Sequence, residues 1–146
     1  MKTKQLVLKI VACVLSALFI LPLFLNFLGY RVGDVRNAYS YSAFNGVTDP
    51  LVVIARVLYI ISLVLAIIML VSIVLQFFFK HELINWFVIG SAVLVIICAS
   101  LSFISALLYC VSISNSNIIW YPSFGCYVIL ALGLVTPVLA LFSNRK

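Results

Sequence analysis

The stretch GVTDPLVVIARVLYIISLVLAIIMLVSIVLQFFFK, Gly46 to Lys80, decides the fold class. From Leu51 to Phe79 it is apolar with a single charge, Arg56. At roughly 1.5 Å per residue this run makes a helix about 44 Å long, well beyond a hydrocarbon core about 30 Å thick. Val57 to Phe79 fills such a layer unaided. That places Arg56 at one boundary and Lys80 at the other, each cation reaching headgroups or water. A charge at mid-membrane costs at least about 2.5 kcal/mol, and none of the chain's three acidic residues lies inside an apolar run to offset it. Arg56 is therefore read as a surface anchor and not as the lining of a polar pathway. Asp49 and Pro50 read as N-cap and first helical position, because the carboxylate accepts a free amide proton where proline needs none. Asp49 and Asp34 are the acidic groups within reach of Arg56, in pairs worth at most about 1 kcal/mol at a surface.

The rest of the chain has the same character. Of its 146 residues 66% are hydrophobic and 8% charged, with a mean hydropathy of +1.34. A water-soluble core of this size cannot hide so much apolar surface. The expectation is an all-α membrane protein: four transmembrane helices at about 10–28, 53–79, 86–111 and 121–142, in one antiparallel bundle. Lys2, Lys4, Lys9, Lys80, Arg145 and Lys146 fall on one side of this layout, and Arg31, Arg36 and Arg56 on or near the other. Positive residues in short loops stay cytoplasmic, so both termini are placed inside and the loop 29–50 outside. The net charge of +6 then reflects anchors facing anionic headgroups and not a nucleic-acid surface.

The N-terminus is read as a retained first span. Ile10-Val11-Ala12-Cys13 matches the loose pattern of a lipoprotein cleavage box, but Lys9 interrupts the few apolar residues before the cysteine. No small-x-small site follows the apolar run, as a cleaved signal would require.

The outer loop, GYRVGDVRNAYSYSAFNGVTDP, reads as an aromatic-anchored connector or recognition surface, with Tyr30, Tyr39, Tyr41 and Phe44 suited to the headgroup layer. The second outer loop, Ser112 to Tyr121, is shorter. Tyr41-Ser42-Ala43-Phe44 and Tyr121-Pro122-Ser123-Phe124 echo one another before each returning helix, too briefly to establish a repeat. Neither loop nor any other segment carries a glycosylation sequon.

Small residues indicate how the helices meet. Cys98, Ser102 and Ala106 recur every fourth residue along the third span, and Ser62 and Ala66 do so on the second. Such ridges let backbones approach closely in lipid, either within the bundle or against another subunit. Cys13 and Cys98 read as small apolar side chains. Cys110 and Cys126 fall at similar depths, which leaves both a disulfide and two thiols open.

Catalytic and metal-binding patterns are missing. With one histidine, His81, one glutamate, Glu82, and two aspartates, there is no metalloprotease helix, carboxylate pair or phosphate loop. No enzymatic activity, cofactor or metal is expected.

In layout the chain resembles small uncharacterised four-helix integral membrane proteins of Gram-positive bacteria. The features are a basic N-terminus before the first helix, an outer loop containing YSYSAFNG, and a closing helix within PSFGCYVILALGLV. Relatives of that type often bear a cysteine-paired metal ribbon, absent here. A claudin-like arrangement shares four spans and a larger first loop, without that loop's Trp and paired-Cys signature. The functional expectation is an accessory, assembly or envelope-associated component of the cell membrane, acting through helix and loop contacts. Its partners are lipid and another membrane protein or a second copy. The alternative is a transporter or channel subunit whose oligomer forms a pathway lined by Arg56 and the serine-rich third helix. A third reading, a membrane-perturbing or immunity-type protein, predicts that overexpression permeabilises cells.

Overall fold

A computed structural model describes residues 3–40 and 49–143. It is mostly helical: α1 (Thr3–Leu18), α2 (Pro50–Phe78), α3 (Glu82–Ile113) and α4 (Phe124–Ser143). Three of them, α2, α3 and α4, are long and apolar enough to cross a membrane. The chain is not all-α, because β1 (Asn26–Val32), β2 (Val35–Ser40) and β3 (Ile118–Pro122) form a small antiparallel sheet in the order β2-β1-β3.

The first helix departs from the span expected at 10–28. It starts at Thr3 and ends at Leu18, followed by a short 3-10 turn, Leu21–Leu23. Pro22 explains the stop, since its ring clashes with the carbonyl four residues earlier, that of Leu18. The apolar residues beyond it are not lipid-facing helix. Phe27 and Leu28 are fully buried residues of β1. A strand wedged against protein carries the same hydrophobic signal as the end of a span.

The second helix begins as its first residues dictate. Asp49 is the N-cap, its Oδ1 accepting from the Leu51 amide at 3.0 Å, and Pro50 opens the helix. Its buried residues include Val52, Ala55, Tyr59, Ser62, Ala66, Met69 and Ile73, an alternation of three and four that forms a seven-residue repeat. Val88, Ala92, Val95, Ala99, Ser102 and Ala106 continue the pattern on α3. This is the knobs-into-holes seam of helices crossing at a shallow angle. Cys98 lies beside that seam, half-buried, and Ala99 occupies the buried place. Strict spacing of four drifts off a helix face, whereas three-and-four alternation stays on it.

Each helix packs on two neighbours, in the ring α1–α2–α3–α4. Two polar contacts lock it. Ser102 Oγ on α3 donates to the Ala55 carbonyl on α2 at 2.6 Å. The Tyr59 hydroxyl donates to the Phe19 carbonyl at 2.8 Å, satisfying a backbone acceptor left open where α1 ends. The sheet closes one end of the ring, resting on α3 and α4. At the other end α2 passes to α3 through Phe79, Lys80 and His81, with His81 Nδ1 capping α3 through the Leu83 amide at 3.1 Å.

Candidate functional site: the three-stranded sheet

The sheet brings together the two loops read separately from the sequence. β1 and β2 form a hairpin turned by Gly33-Asp34, and Gly33 has φ +57°. A positive φ at the first of two turn residues alone fits a type II′ turn, whose twist matches the strands it joins. Between Asn26 and Leu28 the register against β2 slips by one, leaving Phe27 as the extra residue of a bulge. The bulge turns Phe27 and Leu28 both into the core, and the Phe27 carbonyl accepts from the Ser123 amide at 3.0 Å and from Cys126 Sγ at 2.9 Å.

β3 is launched by the polar string at the end of α3. Asn115 Oδ1 accepts from the amides of Asn117 and Ile118, both at 2.8 Å. Ser114 Oγ donates to the Cys110 carbonyl at 2.6 Å and accepts from the Trp120 amide at 2.8 Å. These short-range bonds aim β3 at β1, which it pairs from Val32↔Ile118 to Leu28↔Pro122.

The register sorts the side chains onto two faces. Tyr30, Asn37 and Trp120 are one row, with Tyr39 in the next row on the same face. The rings of Tyr30 and Trp120 are 5.0 Å apart, Tyr30 and Tyr39 5.8 Å, and Tyr39 and Trp120 6.3 Å. Trp120 packs onto the helical core, so this aromatic cluster fastens the sheet to the helices. Asn37 Nδ2 donates to the Tyr30 hydroxyl at 3.0 Å. That bond, with a second from Tyr39, holds the Tyr30 phenol below its ordinary pKa, while donating to Tyr30 raises that of Tyr39.

The other face carries Arg31 directly opposite Arg36, with Ile119 on the far side of Arg31. Together with Tyr121 they line a shallow cleft of about 310 Å³. Both arginines are exposed, and among the described residues neither guanidinium makes an ion pair or hydrogen bond. Like charges paired across strands destabilise a sheet slightly, so this face is electrostatically suited to an anion. Chemically it can hold a carboxylate or phosphate between two planar five-donor forks, on an apolar shelf.

The residues singled out from the sequence are dispersed. Asp34 is exposed at the hairpin tip, Tyr39 is in the aromatic cluster, and Asp49 caps α2. Arg56 lies in the second turn of α2, half-buried, near the sheet end of the helix. Tyr41 and Phe44 fall outside the described residues, as do Lys2, Arg145 and Lys146. Cys110 and Cys126 are both buried free thiols, and the disulfide is not formed. The Cys126 sulfur is instead turned to the bulge carbonyl of Phe27. Arg31, Arg36, Trp120 and Tyr121 were not identified as a unit. The signal was present in Tyr-Arg-Val-Gly-Asp-Val-Arg-Asn, two strand-like runs around a Gly-Asp turn. The partner strand β3, distant in sequence, had no such mark.

Among the described residues no three histidine, cysteine or acidic side chains gather into a metal-binding group. Compared with known proteins, the chain matches no family model and no curated sequence. Fold and site together define a mostly helical protein with three helices fit to cross a membrane and a three-stranded cap at one end.

Proposed function

We propose that this is a multi-pass protein of the cell membrane whose sheet faces outward and docks an acidic segment of a partner membrane protein, making it an accessory or assembly factor without catalysis of its own. The reading takes α1 as a fourth crossing. With the following 3-10 turn it reaches about 30 Å, enough to complete an antiparallel bundle with both termini in the cytoplasm. The observation that carries the docking role is the opposed pair Arg31 and Arg36, exposed beside Ile119 and Tyr121 and unpaired among the described residues. The pathway alternative draws less support, because Ser62, Ser91 and Ser102 each direct their hydroxyl to a backbone carbonyl.

Purification in mild detergent from cells expressing the wild type or Arg31→Glu/Arg36→Glu tests this. Copurification of a defined membrane protein that is lost in the variant, and weakened by salt in the wild type, is the expected result. Equal recovery of the same proteins with both sheets would refute the docking role. A membrane-impermeant maleimide should label Asn117→Cys in intact cells and Lys80→Cys only after lysis, and the reverse pattern would invert the topology.

A further inference from the structure

At the end of the helices opposite the sheet lies a cleft of about 360 Å³ with Lys9, Gln76, Lys80, His81, Glu82 and Asn85 in its walls. Lys9 is the unusual member. The sequence placed it as a headgroup anchor before the first span, but α1 starts at Thr3, so Lys9 sits in its second turn and is only 7% exposed. A long lysine stem packs against apolar neighbours while its charged head reaches the nearest polar space, here the cleft. The ammonium stands 6.0 Å from the Phe77 ring centre. Among the described residues it has no ion pair or hydrogen bond.

The chain cannot supply much more. It contains three acidic side chains. Asp34 is in the sheet hairpin and Asp49 caps the sheet end of α2, which leaves Glu82 in the cleft with two lysines. The other walls are prepared for an oxyanion as well. Gln76 Nε2 donates to Asn85 Oδ1 at 2.7 Å, fixing an amide pair across the ends of α2 and α3 where neighbouring turns are apolar. His81 Nδ1 accepts from the Leu83 amide, so its proton is on Nε2, a donor free of the cap.

We propose that this cleft binds a phosphate ester anion, with Lys9, whose stem is packed between the helices and whose ammonium opens on the cleft, as the inner counter-charge and Lys80 as the outer one. Its position at the ends of two helices long enough to cross the membrane puts it at headgroup depth. The source that fits is therefore the phosphodiester of an anionic phospholipid. The volume admits a phosphate with part of its glycerol. The site does not depend on which side of the membrane this end occupies, nor on the role of the sheet.

The test is thermal unfolding of the full chain in neutral detergent, with phosphatidylglycerol, phosphatidylcholine, glycerol 3-phosphate or inorganic phosphate added. The wild type should be stabilised by phosphatidylglycerol and not by phosphatidylcholine. Lys9→Met should bind phosphatidylglycerol about tenfold or more weakly, having lost the inner cation of the cleft. Lys80→Gln, on the exposed turn, should weaken it less. Stabilisation by glycerol 3-phosphate or inorganic phosphate alone, abolished in Lys9→Met, would support the site with a soluble source. Equal stabilisation by both lipids, or a full response to phosphatidylglycerol in Lys9→Met, would overturn it.

Discussion

The hydroxyl of Thr136 is fully buried in α4 with no hydrogen-bond partner among the described residues. Pro137 follows it and lacks the amide that would bond the Gly133 carbonyl, so the helix is under-bonded at this level. An unsatisfied buried hydroxyl costs more than an isosteric methyl. Thr136→Val should therefore raise the melting temperature in detergent, a gain of about 1 kcal/mol; a loss would mean that the hydroxyl has a partner. The tyrosines of the sheet give a second residue-level expectation. Tyr30 is stabilised as phenolate by the Asn37 amide, and Tyr39 is disfavoured as phenolate because it donates to Tyr30. As pH rises, Tyr30 ionises below the ordinary tyrosine range and Tyr39 above it. In an absorbance titration near 295 nm, Asn37→Leu should move the first of these steps to higher pH. Alkylation under denaturing, non-reducing conditions should count all four cysteines as thiols, as Cys126 is engaged with the Phe27 carbonyl and not with Cys110.

Among the elements, α2, α3 and α4 were legible in the sequence and α1 only in part, its existence but not its bounds, for one reason. Continuous apolarity marks a lipid-facing helix well, but it marks a buried strand equally. The apolar run before Gly29 mixes the two, with Pro22 as the boundary. β3 was hidden because Ile118 to Tyr121 read as the end of the second outer loop, with the fourth span opening near Trp120 or Pro122. The small-residue ridge on α3 was found with the right members Ser102 and Ala106, but a spacing of four chose Cys98 over Ala99. Ala99 matters because it faces Gly133 of α4, where an added Cβ would overlap the Ala99 methyl. The two helices touch there as small residues permit in lipid. Gly133→Leu should force them apart and destabilise the protein by at least about 2 kcal/mol. Pairing it with Ala99→Gly should recover part of that loss, which unfolding in a denaturing detergent series would measure.

For the whole molecule, the sheet and the helical ring are one mechanical unit. The Phe27 carbonyl binds both Ser123 and Cys126, Trp120 rests on the core, and Tyr59 reaches from α2 to the end of α1. None of these long-range joints was readable from local sequence, because each pairs residues brought together by topology alone. Their effect should be cooperative. Trp120→Ala should lower the single unfolding transition of the entire protein, and a separate early transition confined to the sheet would contradict this coupling.

The central place of β1 also governs biogenesis. Its hairpin partner β2 leaves the ribosome almost at once, while β3 follows only after α2 and α3 have been made. Until then one flank of β1 offers bare amides and carbonyls to any passing extended peptide. The half-synthesised chain thus carries an open strand edge, and the arrival of β3 after α3 is what closes it.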